Sequence, residues 1–284
     1  MDKAKLKELI ARIEKLPTLP VVVSRINAMV QNPKTSAKEV GAAIASDPSL
    51  SAKVLRLVNS AYFGFPSQIS SVTHATTILG FNAIQNLALS ATVFQMFGEG
   101  GAEDLFDRRR FWEHSLGVGV ISRILAEKSR YPDREEAFTA GLIHDVGKIV
   151  LDQFVHEDFM AVMNKVRAED CLLYEAESAL LGLTHANVGY ILAQKWNLPK
   201  KLQDPLSYHH TVGLSKYNPQ LTSIIHVADI FCRAFKIGHG GDNKIPSLDK
   251  SNVLELKLAP PDIEQLRDQT EKEIEKAEVF LEMM

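Results

Sequence analysis

Cysteine is nearly absent. Cys171 and Cys232 are the only two in 284 residues, and neither sits in a CxxC pair. This excludes a disulfide scaffold and implies a reducing compartment with free thiols. Long apolar runs are missing as well: no stretch approaches the roughly 18 consecutive apolar residues of a membrane span. The segment 1–16 alternates Lys and Glu with apolar residues at helical spacing, so it reads as neither a signal peptide nor an anchor. The expectation is a cytoplasmic protein without membrane contact. Nor does one sign of charge dominate, since 32 Lys and Arg stand against 35 Asp and Glu, a net charge of −3. The one basic cluster, Arg108–Arg110, lies among Glu103, Asp104, Asp107 and Glu113. That is the pattern of a solvated helix face, and no nucleic-acid partner is expected. Alternating strands, internal repeats and low-complexity tracts are also lacking.

What remains is helical periodicity from end to end. Leu6, Leu9, Ile10 and Ile13 mark a first amphipathic helix ending before Pro17, and Pro20 opens a second that ends near Asn32-Pro33. Ser36 suits a cap for a short helix through Ile44. Asp47-Pro48 is a strong start signal, with Asp as cap and Pro in the first turn. Helices over Thr73–Leu79 and Ala83–Phe97 follow, and the glycine-rich Gly98–Gly101 is the best candidate boundary in the chain. Beyond it, periodicity predicts helices over 104–129, 134–151, 156–168, 172–181, 185–196, 199–209 and 218–236. Gly238–Gly241 reads as an exposed flexible loop. Pro260-Pro261-Asp262 starts a terminal helix with Ile263, Leu266, Ile274 and Phe280 inward.

Histidine is concentrated rather than scarce: seven of the nine lie between His114 and His226. His144 and Asp145 stand side by side within the apolar run Ala140–Lys148, where hydrocarbon would be expected. On a continuous helix Lys148 would share a face with both, four residues after one and three after the other. A buried His–Asp hydrogen bond beside a snorkelling lysine is one reading of this segment. Metal ligation is the other. His114, His185, His209, His210 and Asp229, each on or beside a further helix, favour the second, because together with His144 and Asp145 they supply a full set of nitrogen and oxygen ligands. Small residues at Ser115, Gly117 and Gly119 would let another helix approach His114 closely. Neighbouring helical residues point about 100° apart, so the adjacent pairs fit two ions side by side better than one, with Asp145 as a bridge. A ligand set without thiolate points to iron, manganese or zinc. His226 reads as a support for the site, and His74, His156 and His239 as surface residues. Trp112 and Trp196 read as packing residues.

The order His114, His144-Asp145, His185, His209-His210, Asp229 resembles the HD superfamily of metal-dependent phosphohydrolases. The first half narrows the likeness. Leu16-Pro17-Thr18-Leu19-Pro20, Asp47-Pro48-Ser49-Leu50, Asn59-Ser60-Ala61-Tyr62-Phe63-Gly64 and Phe111-Trp112-Glu113-His114-Ser115 are all similar to the HDOD domain, over about residues 16–235. The resemblance implies an all-α HDOD fold: an N-terminal helical lobe over 1–100, an HD-like metal-binding lobe over 101–240 and a C-terminal extension over 241–284. It also implies a bacterial signalling and regulatory module, related to HD-GYP phosphodiesterases that hydrolyse cyclic-di-GMP. The chain departs from HD-GYP enzymes at Thr211-Val212-Gly213-Leu214, where their Gly-Tyr-Pro segment would stand. It also carries Arg110 where some relatives place an acidic ligand for a third metal. Two functions therefore compete. One is a regulatory module with a protein partner. The other is a phosphohydrolase acting on a nucleotide or cyclic nucleotide, with Asp145 and Lys148 as the catalytic groups.

Overall fold

Ser36, Asp47 and Ser71 each leave the chain extended and accept a backbone N–H three residues on, from Glu39, Leu50 and His74. Each side chain satisfies a donor that the first turn of a helix would otherwise waste. The result is a series of short, sharply started helices. In the computed structural model, which describes residues 11, 18–32, 34–98, 105–248 and 256–283, these are α1 (Val21–Val30), α2 (Ala37–Ala45), α3 (Pro48–Val58) and α4 (Val72–Leu79). A long apolar helix, α5 (Phe81–Phe97), joins them to the second half. There follow α6 (Arg108–Lys128), α7 (Arg134–Ile143), α8 (Val146–Phe154), α9 (His156–Glu169), α10 (Leu173–Leu181), α11 (His185–Lys195), α12 (Lys200–Tyr208) and α13 (Pro219–Ala234). A terminal helix, α14 (Pro260–Ala277), runs into a 3-10 turn over Glu278–Met283. Every regular element among the described residues is helical, so the all-α expectation holds. No described helix is long and apolar enough to cross a membrane. The expected first helix over Leu6–Ile13 and most of Gly98–Gly101 lie outside the described residues.

The core is one continuous apolar cluster from Leu19 to Phe280. Helix α5 is buried on nearly all sides, which is why its apolar residues show no preferred face. Helices α6 and α7 touch through their glycines: a Cβ on Gly141 would lie 2.9 Å from Gly119 Cα. The small-residue run after His114 thus does what its composition suggested. Tyr62 is buried where the first helices, α7 and the terminal 3-10 turn meet, its ring 5.0 Å from Phe138 and 5.4 Å from Phe280. Trp112 donates to the Phe97 carbonyl at 3.3 Å and Trp196 is also buried, so both pack the core.

Two expectations need correction. The helix foreseen over 134–151 is two helices, because His144 stays helical (φ −54°, ψ −38°) while Asp145 leaves that region (φ −99°, ψ 7°). Lys148 keeps only a tight-turn bond, from its N–H to the Asp145 carbonyl at 2.9 Å. The Gly238–Gly241 loop is not an exposed one: Gly240, Gly241 and Asp242 are buried against α6, α8 and α10.

Candidate metal centre

The break between α7 and α8 turns His144 and Asp145 into one cavity from a single short segment. His144 Nδ1 lies 2.6 Å from the Gly141 carbonyl, which holds the ring against its own helix and leaves Nε2 free to point inward. Glycine at 147 lets the start of α11 come to Asp145, since a Cβ there would sit 2.0 Å from the His185 carbonyl oxygen. Thr184 and Asn187 cap α11 reciprocally and fix that start. His209 follows the last residue of α12, with Nδ1 2.8 Å from the Pro205 carbonyl. The loop after it is tied by Asp204, whose Oδ2 accepts N–H groups from Lys216, Tyr217 and Asn218.

Around Asp145 the two carboxylate oxygens face different partners. Oδ1 lies 3.1 Å from His185 Nε2 and 3.5 Å from His209 Nε2, and His185 Nε2 is 2.9 Å from His210 Nε2. Oδ2 lies 3.2 Å from His144 Nε2 and 3.9 Å from His114 Nε2. Asp229 Oδ1 completes that side, 3.1 Å from His114 Nε2 and 4.0 Å from His144 Nε2. The seven foreseen ligands therefore meet in one place. They form two groups sharing Asp145, one with His185, His209 and His210 and one with His114 and His144; within each, the ligand atoms lie no more than 4.8 Å apart. Asp229 borders the second group.

Donor chemistry and geometry both fit a divalent ion. His114 Nε2, His144 Nε2, His209 Nε2 and Asp145 Oδ1 are buried and lack a well-aligned hydrogen-bond partner. Buried polar atoms without partners are costly, and four converging on one point need a common explanation. Protonation agrees. Burial pushes the His114 imidazole down and His209 down to about 4, so both are neutral with a lone pair to give. Burial opposes ionisation of Asp145, yet the neighbouring His144, Lys148 and His185 outweigh it and hold the carboxyl well below its usual range. Arg233 does the same for Asp229 against its burial. Neutral imidazoles beside ionised carboxylates are the states metal binding requires. His185 differs. Burial lowers it, but the Glu177 carboxylate outweighs that effect and raises it, so a metal ion at this position would displace a proton.

Lys148 is 0% exposed and its ammonium is committed twice, to Asp145 Oδ2 and, at 2.8 Å, to the Gly240 carbonyl. His226, as expected, supports the site: its Nδ1 lies 2.7 Å from the His209 carbonyl. His74 is exposed, while His156 and His239 are only partly so; the ring of His239 bonds within the 238–243 loop. The sequence reading missed Glu177, Arg233 and the 238–242 strap. Glu177 Oε2 accepts both the backbone N–H of His185 at 2.8 Å and its Nδ1–H at 2.7 Å. A signal existed, since Glu177 falls on the apolar stripe of α10 with Leu173, Ala176 and Leu181. Arg233, four residues after Asp229 on α13, reaches Asp229 and Asp242, each at 2.9 Å. Replacing Glu177 with Ala should weaken metal affinity by about 10–100-fold through loss of this orientation. Glu177→Gln, which keeps an acceptor oxygen, should lose much less. Competition titration against a chromophoric chelator reads both, and equal losses would show that the negative charge, not the hydrogen bond, matters.

The chain is similar to known proteins over most of its length. The HDOD domain family model matches residues 16–212. An HDOD domain protein of unknown function from Geobacter sulfurreducens superposes with a TM-score of 0.79 at 26% identity, over 97% of this chain and 96% of that one. A candidate phosphohydrolase from Shewanella amazonensis SB2B shares the fold, with a TM-score of 0.69 at 24% identity over 99% and 97% of the two chains. An uncharacterised protein of Treponema pallidum (strain Nichols) is 26% identical over 219 residues, which is 75% of this chain but only 41% of that longer protein. Because the family model spans well over half of the chain, from ahead of α1 into the loop beyond the paired histidines, this protein belongs to the HDOD family.

Proposed function

We propose that the chain is a regulatory module in which a divalent metal, iron, manganese or zinc, clasps helices from distant parts of the sequence. Asp145, common to both ligand groups, would help to hold an ion in each. One observation carries the regulatory reading: the centre is mostly buried, with His210 the one of the seven candidate ligands that is partly exposed. Asp145 is 1% exposed and Lys148 0%, and the strap lies over them with its Gly240 carbonyl on the Lys148 ammonium. A site for turnover needs a path for substrate, whereas a clasp benefits from burial. In this reading the signalling partner is another protein, in keeping with the balanced charge of the chain.

The complete ligand set supports a second reading, a metal-dependent phosphohydrolase acting on a nucleotide or cyclic nucleotide. Bound ions would supply a nucleophilic hydroxide at neutral pH. The chain itself would have to lift the strap, and Lys148 would have to leave the Gly240 carbonyl to meet a phosphoryl oxygen.

Metal content of anaerobically purified protein, measured by plasma mass spectrometry, separates these from a metal-free scaffold. One or two ions per chain are expected. Metal present at about 100 times its Kd stabilises the fold by about 2.7 kcal/mol, so chelation should lower the melting temperature measurably. The regulatory reading expects no turnover of cyclic or linear nucleotides by the loaded protein. Metal-dependent turnover would establish the second reading, and less than about a tenth of an ion per chain after reconstitution would remove both.

A further inference from the structure

Two buried cations hold the strap down, and both also bond candidate metal ligands. Lys148 donates to Asp145 Oδ2 and, at 2.8 Å, to the Gly240 carbonyl. Arg233 donates to Asp229 Oδ1 at 2.9 Å, to Asp242 Oδ1 at 2.9 Å and to the Lys244 carbonyl at 3.3 Å. Asp242 in turn accepts the Lys244 N–H at 3.0 Å and, through Oδ2, the N–H of Leu173 at the start of α10 at 3.1 Å. The Lys148 side chain is 0% exposed and that of Arg233 6%.

The two halves of the centre differ in charge for this reason. Asp145 Oδ2 and Asp229 Oδ1 are the carboxylate oxygens beside His114 and His144, and these are the atoms that the two cations bond. Gly240 packs against the same half: a Cβ there would lie 3.0 Å from a terminal nitrogen of Arg233 and 3.3 Å from His114 Nε2. The other half has no such cation. Asp145 Oδ1, facing His185 and His209, lacks a well-aligned hydrogen-bond partner. Glu177, which backs His185, pairs with no Lys or Arg among the described residues. Like charges repel strongly where water does not screen them, so the half with three histidines fills first. A buried cation whose carboxylate is taken by another ion is left uncompensated, at high cost.

Given the metal reading, on which this rests, we propose that the second metal position and the strap compete through Lys148 and Arg233. One ion, held by Asp145, His185, His209 and His210, leaves both cations on their carboxylates and the strap in place. A second ion, beside His114, His144 and Asp229, repels the two cations, breaks their bonds to Gly240 and Asp242 and frees the strap with the start of α10. The coupling is reciprocal: whatever holds the strap down weakens the second ion.

Hydrogen exchange, read by mass spectrometry on the chelator-treated full chain reloaded with zinc, tests this. Bound zinc is counted by competition against a chromophoric chelator. The N–H groups of His239, on the Arg110 carbonyl at 2.8 Å, of Lys244 and of Leu173 report on the strap. One equivalent of zinc should bind tightly and leave their exchange slow. Excess zinc should add a second equivalent, bound about 5–150-fold more weakly, and speed exchange at these positions about fivefold or more. His144→Gln removes an imidazole that bonds neither cation, so it should keep the first ion and slow exchange at every zinc concentration. His209→Gln should lose the first ion instead. Two ions of equal affinity, a second ion that never binds, or one that leaves exchange unchanged would each overturn the coupling and leave the metal centre standing. So would fast exchange at one equivalent, or release of the strap by excess zinc in His144→Gln. No zinc bound at all would remove the metal reading and the coupling with it.

Discussion

Asp145→Ala should empty the metal centre and destabilise the fold at the same time. The carboxylate is the one group shared by both sets of histidines, so its loss removes a ligand atom from each. Metal content should fall below about a tenth of an ion per chain. The second effect comes from Lys148, which is fully buried and would lose the carboxylate it is paired with. Breaking a buried pair by removing one partner costs about 3–5 kcal/mol. The two effects can be separated. Asp145→Asn combined with Lys148→Met removes the unpaired charge and keeps the volume, so it should recover most of the stability and none of the metal. Plasma mass spectrometry and urea unfolding read the two quantities independently. Full metal occupancy in Asp145→Ala would take Asp145 out of the centre. Stability unchanged in that variant would mean that Lys148 reaches water, contrary to its burial.

Gly147→Ala should be comparably damaging without touching a ligand. Its Cβ would lie 2.0 Å from the His185 carbonyl oxygen, 2.8 Å from the carbonyl carbon and 3.0 Å from the Gly189 nitrogen. These are backbone atoms, so no rotamer change relieves the clash and α11 must move. Overpacking costs about 1–3 kcal/mol, occasionally more, and this site belongs at the upper end. Because α11 carries His185, the same displacement should pull its Nε2 away from Asp145 Oδ1 and weaken metal binding. Gly189→Ala is the control on the same contact. Its Cβ would meet nothing nearer than the Leu206 carbonyl at 3.5 Å. Alanine also favours a helix interior by about 1 kcal/mol over glycine. That variant should be neutral or stabilising and should keep its metal. If the two glycine variants behaved alike, the close approach of α8 to α11 would not be what brings His185 into place.

Sequence alone determined the helical class, most helix starts and the set of candidate ligands that the fold brings together. Caps such as Ser36, Asp47 and Ser71 act on N–H groups three residues away, so their consequences can be read locally. Histidines and aspartates inside apolar periodicity are equally visible, because each breaks a pattern within its own helix. Glu177 broke such a pattern too and could have been found in the same way. The break at His144-Asp145 was hidden, since neither residue is a glycine or proline and the apolar spacing runs through it unchanged. Only tertiary structure decided that the two oxygens of Asp145 face different histidines, that Lys148 is spent on Gly240, and that a glycine-rich loop is a buried strap. Those features depend on segments as far apart as His114 and Gly240 meeting through glycine-sized contacts. The free energy of such meetings lies in packing and desolvation across the whole core, which no window of neighbouring residues contains.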